Sequence, residues 1–203
     1  MQQEAIPLWK ELEIQAVYSE NKRYAMFNLM RSYYQSEELK EAQQKAEAVL
    51  ALKNLEVKVK WDAYEILAQT SINLGDSLKA QEAFKELEKA PIDKLAAEAY
   101  YFRAHQNYLN KAYEKSNEVI AQLSQKFSSQ PYFAAKSLLL MAKNFHAVKD
   151  AFQATYILES LLNNYDQFPE ISQEGKTLLN QIKQEQAQKN ASLSQTDTNH
   201  EVQ

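Results

Sequence analysis

The side chains able to move a proton or hold a metal are few and far apart. Three histidines, His105, His146 and His200, occur in 203 residues, and none sits in a His-Glu-x-x-His or comparable ligand spacing. His105 and His146 read either as a paired ligand or base on neighbouring helical units or as two polar residues on an open helix face. The second reading is preferred, because no third ligand accompanies them. The absence of Cys excludes disulfides, thiolate metal sites and a cysteine nucleophile together. The two glycines, Gly75 and Gly175, stand 100 residues apart, so no glycine-rich loop can cradle a phosphate. Acidic pairs such as Glu37–Glu38 and Glu86–Glu88 lie at turns or beside lysines, where solvated charge explains them better than acid–base work. The expectation is a protein that is not an enzyme, with no catalytic residues, no cofactor and no metal.

What remains is binding chemistry. Twelve tyrosines, with Arg and Lys among them, supply large flat contacts and charge. A net charge of −4 leaves no basic footprint for nucleic acid or anionic lipid. The stretch Met1 to Lys10 lacks a basic region followed by an apolar run, and the longest apolar run, Leu138 to Ala142, is too short to span a bilayer. No direct membrane insertion is expected, and the chain reads as soluble.

The elements that position these side chains are helices. With 2 Gly and 4 Pro the chain has too few turn-making residues for a sandwich or barrel. Apolar residues recur at three-to-four spacing, as in Leu138, Met141, Ala142 and Phe145, with Ala, Glu, Gln, Lys and Leu between them. Short polar breaks fall at Ser19–Lys22, Ser36–Glu38, Gly75–Ser77, Asn110–Lys111, Ser128–Gln130 and Lys149–Asp150. Ser36 and Asp76 read as N-caps, and Pro131 and Pro169 as first-turn prolines. Breaks this short force neighbouring helices to run antiparallel.

The pattern repeats. A small residue stands at Ala5, Ala42, Ala80, Ser116 and Ala154, with spacings of 37, 38, 36 and 38. Four residues later come Trp9, Ala46, Phe84, Ile120 and Leu158; three further come Leu12, Val49, Leu87, Leu123 and Leu161. Twelve residues before the small position stand Met30, Ala68, Ala104 and Ala142. Small residues where helices cross let the backbones approach, and large ones fill the flanks.

These columns, with Leu74-Gly75-Asp76 followed by Ala80 and Phe84, resemble the tetratricopeptide repeat, over about Ala5 to Asp166. The period is longer than the family's ~34 residues, and Ala46 stands where an aromatic is usual. In its longer period the chain is similar to the versions found in bacterial envelope proteins, as it is in Leu161-Leu162-Asn163-Asn164-Tyr165 before Pro169. The resemblance implies an all-α fold, a right-handed α-α superhelix (solenoid) of antiparallel helix pairs. Residues 1–20 would be the second helix of a truncated repeat, and 21–56, 57–92, 93–129 and 130–167 four repeats. Residues 168–189 would form a cap helix and 190–203 a disordered tail. The chain is accordingly expected to be the C-terminal part of a longer solenoid, able to self-associate through its N-terminal end.

In the family, first helices line a concave wall. The resemblance places Tyr24, Phe27, Arg31, Tyr34, Gln69, Asn73, Tyr101, His105, Tyr108, Lys136, Lys143 and His146 there as candidate partner contacts, beside Asp62, Glu65, Glu98 and Leu139. The alternative for Tyr24, Tyr101 and Tyr108 is packing between repeats. The Lys–Asn–Arg clamp with which some relatives hold a chaperone tail is not matched, since Phe27, Ile66 and Phe102 stand at its positions. The expected function is a non-catalytic scaffold that binds an extended or helical protein or peptide segment in the groove, without nucleic acid. The alternative is a spacer or self-association module of a cell-envelope protein. The location would be periplasmic or envelope if the envelope likeness holds, and cytoplasmic otherwise.

Overall fold

The computed structural model describes residues 2–200, with side chains described for residues 4–190. The described residues form ten helices and no strand: α1 Gln2–Gln15, α2 Ser19–Gln35, α3 Leu39–Leu50, α4 Val57–Leu74, α5 Ser77–Leu87, α6 Asp93–Leu109, α7 Tyr113–Lys126, α8 Pro131–Ala147, α9 Ala151–Asn164 and α10 Pro169–His200. They fall into two compact units, with the division between Ala99 and Tyr100 inside α6. In the first unit each helix from α1 to α5 packs on the next, and α2 also reaches α4. In the second, consecutive helices from α7 to α10 pack in the same way, and α8 also reaches α10. Contact between consecutive helices and between next-but-one helices is the pattern of a helical repeat.

The turns show the repetition most directly. Glu37, Gly75, Lys111 and Lys149 have φ of 60°, 75°, 59° and 66°, and each stands five residues before the small position. In every case the following N–H reaches back five residues: Glu38 to the Tyr33 carbonyl, Asp76 to Ser71, Ala112 to Asn107 and Asp150 to Phe145, at 2.8–2.9 Å. The left-handed residue itself donates to the carbonyl three residues back. This is the Schellman closure, which satisfies carbonyls that a helix end would otherwise leave open. Asp76 and Asp150 then cap the next helix, accepting from the backbone N–H of Lys79 and Gln153 at 3.2 and 3.0 Å.

The apolar columns are the core. Ala42, Ala80, Ser116 and Ala154 are buried, as are Met30, Ala68, Ala104 and Ala142 twelve residues earlier. In the second unit the Ser116 hydroxyl donates to the Ala104 carbonyl at 2.8 Å, so the two columns lie directly against each other. Such close approach is possible only where both side chains are small. Val49, Leu87, Leu123 and Leu161 close the columns and are all buried.

Three local expectations are corrected. Ser36 ends α2 instead of starting a helix, because Glu37 takes the left-handed turn and α3 begins at Leu39, after Glu38. The break expected at Ser19–Lys22 lies at residues 16–18, and Ser19 already belongs to α2, since nothing in Ser19-Glu20-Asn21-Lys22 opposes helix once the chain has turned. The helix expected to end at residue 189 runs on as α10 to His200. Of the expected tail, the side chains of 191–200 and all of 201–203 lie outside the described residues.

Candidate functional site

The first helices α2, α4, α6 and α8 carry the candidate contacts, and the two units use them differently. In the first unit the Arg31 guanidinium turns both Nε and Nη2 onto Oδ2 of Asp62. Gln69 donates to Glu98 at 2.7 Å. Glu65 sits half-buried among these acids; burial chiefly raises its pKa, Lys94 opposes the rise, and Glu98 and Asp62 add to it. Burial, then Glu65 and Glu98, pushes the Tyr34 phenol up as well. Phe27 and Tyr34 lean on the core beside Leu29 and Met30. Tyr24 remains 59% exposed, edge-on to Trp9 at 5.7 Å. Tyr24, Phe27 and Arg31 share one open cavity of about 690 Å³ with Arg23, Asn28 and Glu56. Asn73, near the C-terminal end of α4, is exposed and is not among its lining residues.

The second unit presents rings and cations. Tyr101, His105 and Tyr108 stack along one side of α6, with centroids 6.2 Å apart at both steps. Lys136 on α8 holds its ammonium 4.4 Å from the Tyr101 ring centre and 5.5 Å from that of Tyr132, within cation–π range. Lys143 pairs with Glu174 of α10 at 2.6 Å, and His146 meets Glu185 at 2.8 Å. The hydrogen bond from His146 is the main reason the Glu185 carboxyl lies below its usual range. Tyr101, Tyr132, Lys136, Leu139, Lys143 and Glu174 line a cavity of about 170 Å³. Burial, then Glu174 and Tyr132, pushes the Tyr101 phenol up to about 12, so it is a neutral donor at physiological pH. Burial, followed by Lys143 and Lys136, lowers the His105 pKa, so its imidazole is held neutral.

One column unites these details. Eleven residues before each small position stand Arg31, Gln69, His105 and Lys143. Eighteen residues before the next small position stand Asp62, Glu98 and Lys136. Arg31–Asp62, Gln69–Glu98 and Lys143–Glu174 are bridges between a first helix and the corresponding helix after it. His105 and Lys136 occupy the same two positions in the second unit. The ring faces of Tyr101 and Tyr132 receive the Lys136 ammonium, and Glu170 and Glu174 line the same cavity.

Arg31, Gln69 and Lys143 are thus engaged in the bridges and Lys136 lies over the Tyr101 and Tyr132 rings, while Tyr24 is exposed and His105 and Tyr108 are half-buried. Sequence reading missed Tyr132, Glu174, Glu185 and Arg23. Tyr132 stands one helical turn before Lys136 and was in principle legible; Glu174 and Glu185 belong to α10, which lies outside the repeat register. Arg23 ties α2 to the α3–α4 loop, donating to the carbonyls of Lys53 and Asn54 at 3.0 Å. Among the described residues no group of three or more His, Cys, Asp or Glu is placed to hold a metal, and no helix is long and apolar enough to cross a membrane. No known family model matches the chain, and no curated protein matches it.

Proposed function

We propose that this chain is a non-catalytic binding module of tetratricopeptide-like helix pairs, stacked as in a solenoid, and that the first-helix face of its second unit takes an extended or helical protein segment. The observation that carries the reading is the run of flat side chains on α6: Tyr101, His105 and Tyr108 stack at 6.2 Å steps and each stays half-buried. Tyr132, 40% exposed, shares the Lys136 ammonium with Tyr101 and adds a ring to the same side. Rings with few rotamers to freeze are the side chains that anchor protein interfaces.

The test uses a fluorescent peptide alternating Gln with Leu and Phe, and a counterpart with the Leu and Phe replaced by Ser, with fluorescence anisotropy as readout. Wild type should bind the first peptide more tightly than the second. Tyr108→Ala should weaken that binding by about tenfold, or ~1.4 kcal/mol. Equal affinity for both peptides, or no effect of Tyr108→Ala in a folded protein, would remove the reading.

A further inference from the structure

Tyr101 opens the row of flat side chains on α6, and beside it lies a recess. The rings of Tyr101 and Tyr132 wall it, and Leu139, Leu140 and Ile171 complete it, leaving a cavity of about 170 Å³. The three aliphatic residues are 5%, 2% and 5% exposed, and Leu139 and Ile171 belong to the second unit's core, so this part of the wall is fixed. The remaining lining is two lysines and two acids, Lys136 and Lys143 with Glu170 and Glu174. Lys143 is paired with Glu174 at 2.6 Å, and Lys136 lies over both rings. The lining is neutral in sum, so it selects an occupant by shape and not by charge.

We infer that this cavity takes one phenylalanine side chain of an extended partner segment. The inference rests on the first-helix-face reading above and names the side chain that anchors the segment there. Size comes first: an apolar cavity of roughly 150 Å³ holds a benzene ring, so a space of about 170 Å³ admits a benzyl group. A leucine side chain also fits, yet it leaves the rings of Tyr101 and Tyr132 without an aromatic partner. Rings in edge-to-face or offset contact gain more than the area they bury. A tyrosine would carry its hydroxyl against Leu139, Leu140 and Ile171, which offer its polar end no hydrogen-bond partner.

The row beyond the cavity sets the backbone. Tyr101, His105 and Tyr108 follow one another at 6.2 Å. In an extended chain rising about 3.3 Å per residue, side chains on one face recur every ~6.6 Å. A segment lying along α6 therefore sets alternate side chains on successive rings, and at the Tyr101 end one of them enters the cavity.

The probe is a fluorescein-labelled peptide alternating Gln and Leu in which one Leu is replaced by Phe. It is read by fluorescence anisotropy beside the all-Leu parent and a version with Ala at that place. Wild type should bind the Phe peptide about threefold more tightly than the parent and about tenfold more tightly than the Ala version. Glu170 stands exposed at the rim. Glu170→Trp lays an indole across the mouth and should equalise the three peptides. Glu170→Gln keeps the size, removes the charge and should leave their order intact. The ranking is read on the unaltered chain, so it stands should Glu170→Trp perturb folding. Tyr108→Ala, away from the cavity, should weaken all three peptides alike. Equal affinity for the Phe and all-Leu peptides, a Phe preference that survives in folded Glu170→Trp, or its loss in Glu170→Gln would overturn the cavity and leave the face to bind. No binding at all, or binding that Tyr108→Ala does not weaken, would instead remove the face reading on which the cavity depends.

Discussion

The two units share a turn, a set of apolar columns and a helix-pair plan, yet they spend their polar residues differently. In the first, the first-helix face closes on itself: Arg31 meets Asp62 and Gln69 meets Glu98, with Glu65 among them. The second closes one such bridge, Lys143–Glu174, and at the corresponding position before it lays Lys136 over a wall of rings. The contrast separates two uses of one position. A donor opposite a carboxylate ties neighbouring helices through charge, and a cation over ring faces ties them through aromatic contact.

The buried polar contacts differ in the same sense. Gln43 donates to Ser71 at 3.0 Å in the first unit, a single bond between α3 and α4. In the second, the fully buried Asn144 donates to both Ser116 and Asn117, at 2.9 and 2.6 Å, and Ser116 passes the chain to the Ala104 carbonyl. Asn144→Ala should therefore be the more damaging change, losing about 2–3 kcal/mol through a cavity and acceptors left without their donor. Gln43→Ala should lose about 1–2 kcal/mol. Urea unfolding of both variants checks the order, and equal losses would dissolve the distinction between a single bond and a network.

The turns give a smaller effect. Gly75 occupies the left-handed position without strain, and a Cβ added there would meet nothing within 4 Å. Gly75→Ala therefore probes backbone conformation alone and should lose about 1 kcal/mol. Lys111 in the second unit holds the same conformation with a side chain. Lys111→Gly should gain about 0.5–1 kcal/mol, read as a rise in thermal midpoint. A loss there would mean that the lysine side chain, not the backbone, matters at that turn.

The smallest effect is the pH dependence of the second unit. With its pKa lowered by burial and by Lys143 and Lys136, folded His105 binds a proton less readily than the unfolded chain does. Below the ordinary value near 6.5 the unfolded state takes up more protons, so stability falls as pH drops through that value and continues to fall until the folded pKa is reached. The urea midpoint should be lower at pH 5.5 than at pH 7.5, and His105→Gln should remove the part of the difference that wild type shows beyond it. A midpoint difference unchanged by His105→Gln would assign the dependence to other groups.

Much of the helical plan was legible in the residues. The small column at Ala42, Ala80, Ser116 and Ala154 and its partner twelve residues earlier show in side-chain volume, and both prove to be buried contact lines. Leu74-Gly75-Asp76 announces its turn by residue type. The turns at Glu37, Lys111 and Lys149 show in the sequence as short polar breaks, but their left-handed conformation does not, since residues with side chains seldom adopt it. Ser36 misled because a hydroxyl favours an N-cap by its chemistry, while its place two residues before the next helix's N-cap is set by the backbone of the turn. Of the candidate contacts, Tyr24 is exposed, His105 and Tyr108 are half-buried, and Lys136 lies over the Tyr101 and Tyr132 rings. Arg31, Gln69 and Lys143 are drawn into bridges that their residue types alone could not announce.

By itself the sequence determined the helices, the packing of each on its neighbour in the chain and the stripe each one buries. These depend on backbone propensity, turn geometry and side-chain volume within one or two turns of chain. Which polar groups meet was decided by tertiary structure. Lys143 and Glu174 are 31 residues apart, and His146 and Glu185 are 39 apart. Whether such groups bond depends on helix separation and rotation to within a fraction of an ångström, because a hydrogen bond tolerates no more than that. The packing of small residues that sets this distance is written in the sequence, but its consequence for the charges above it appears only once the helices have closed.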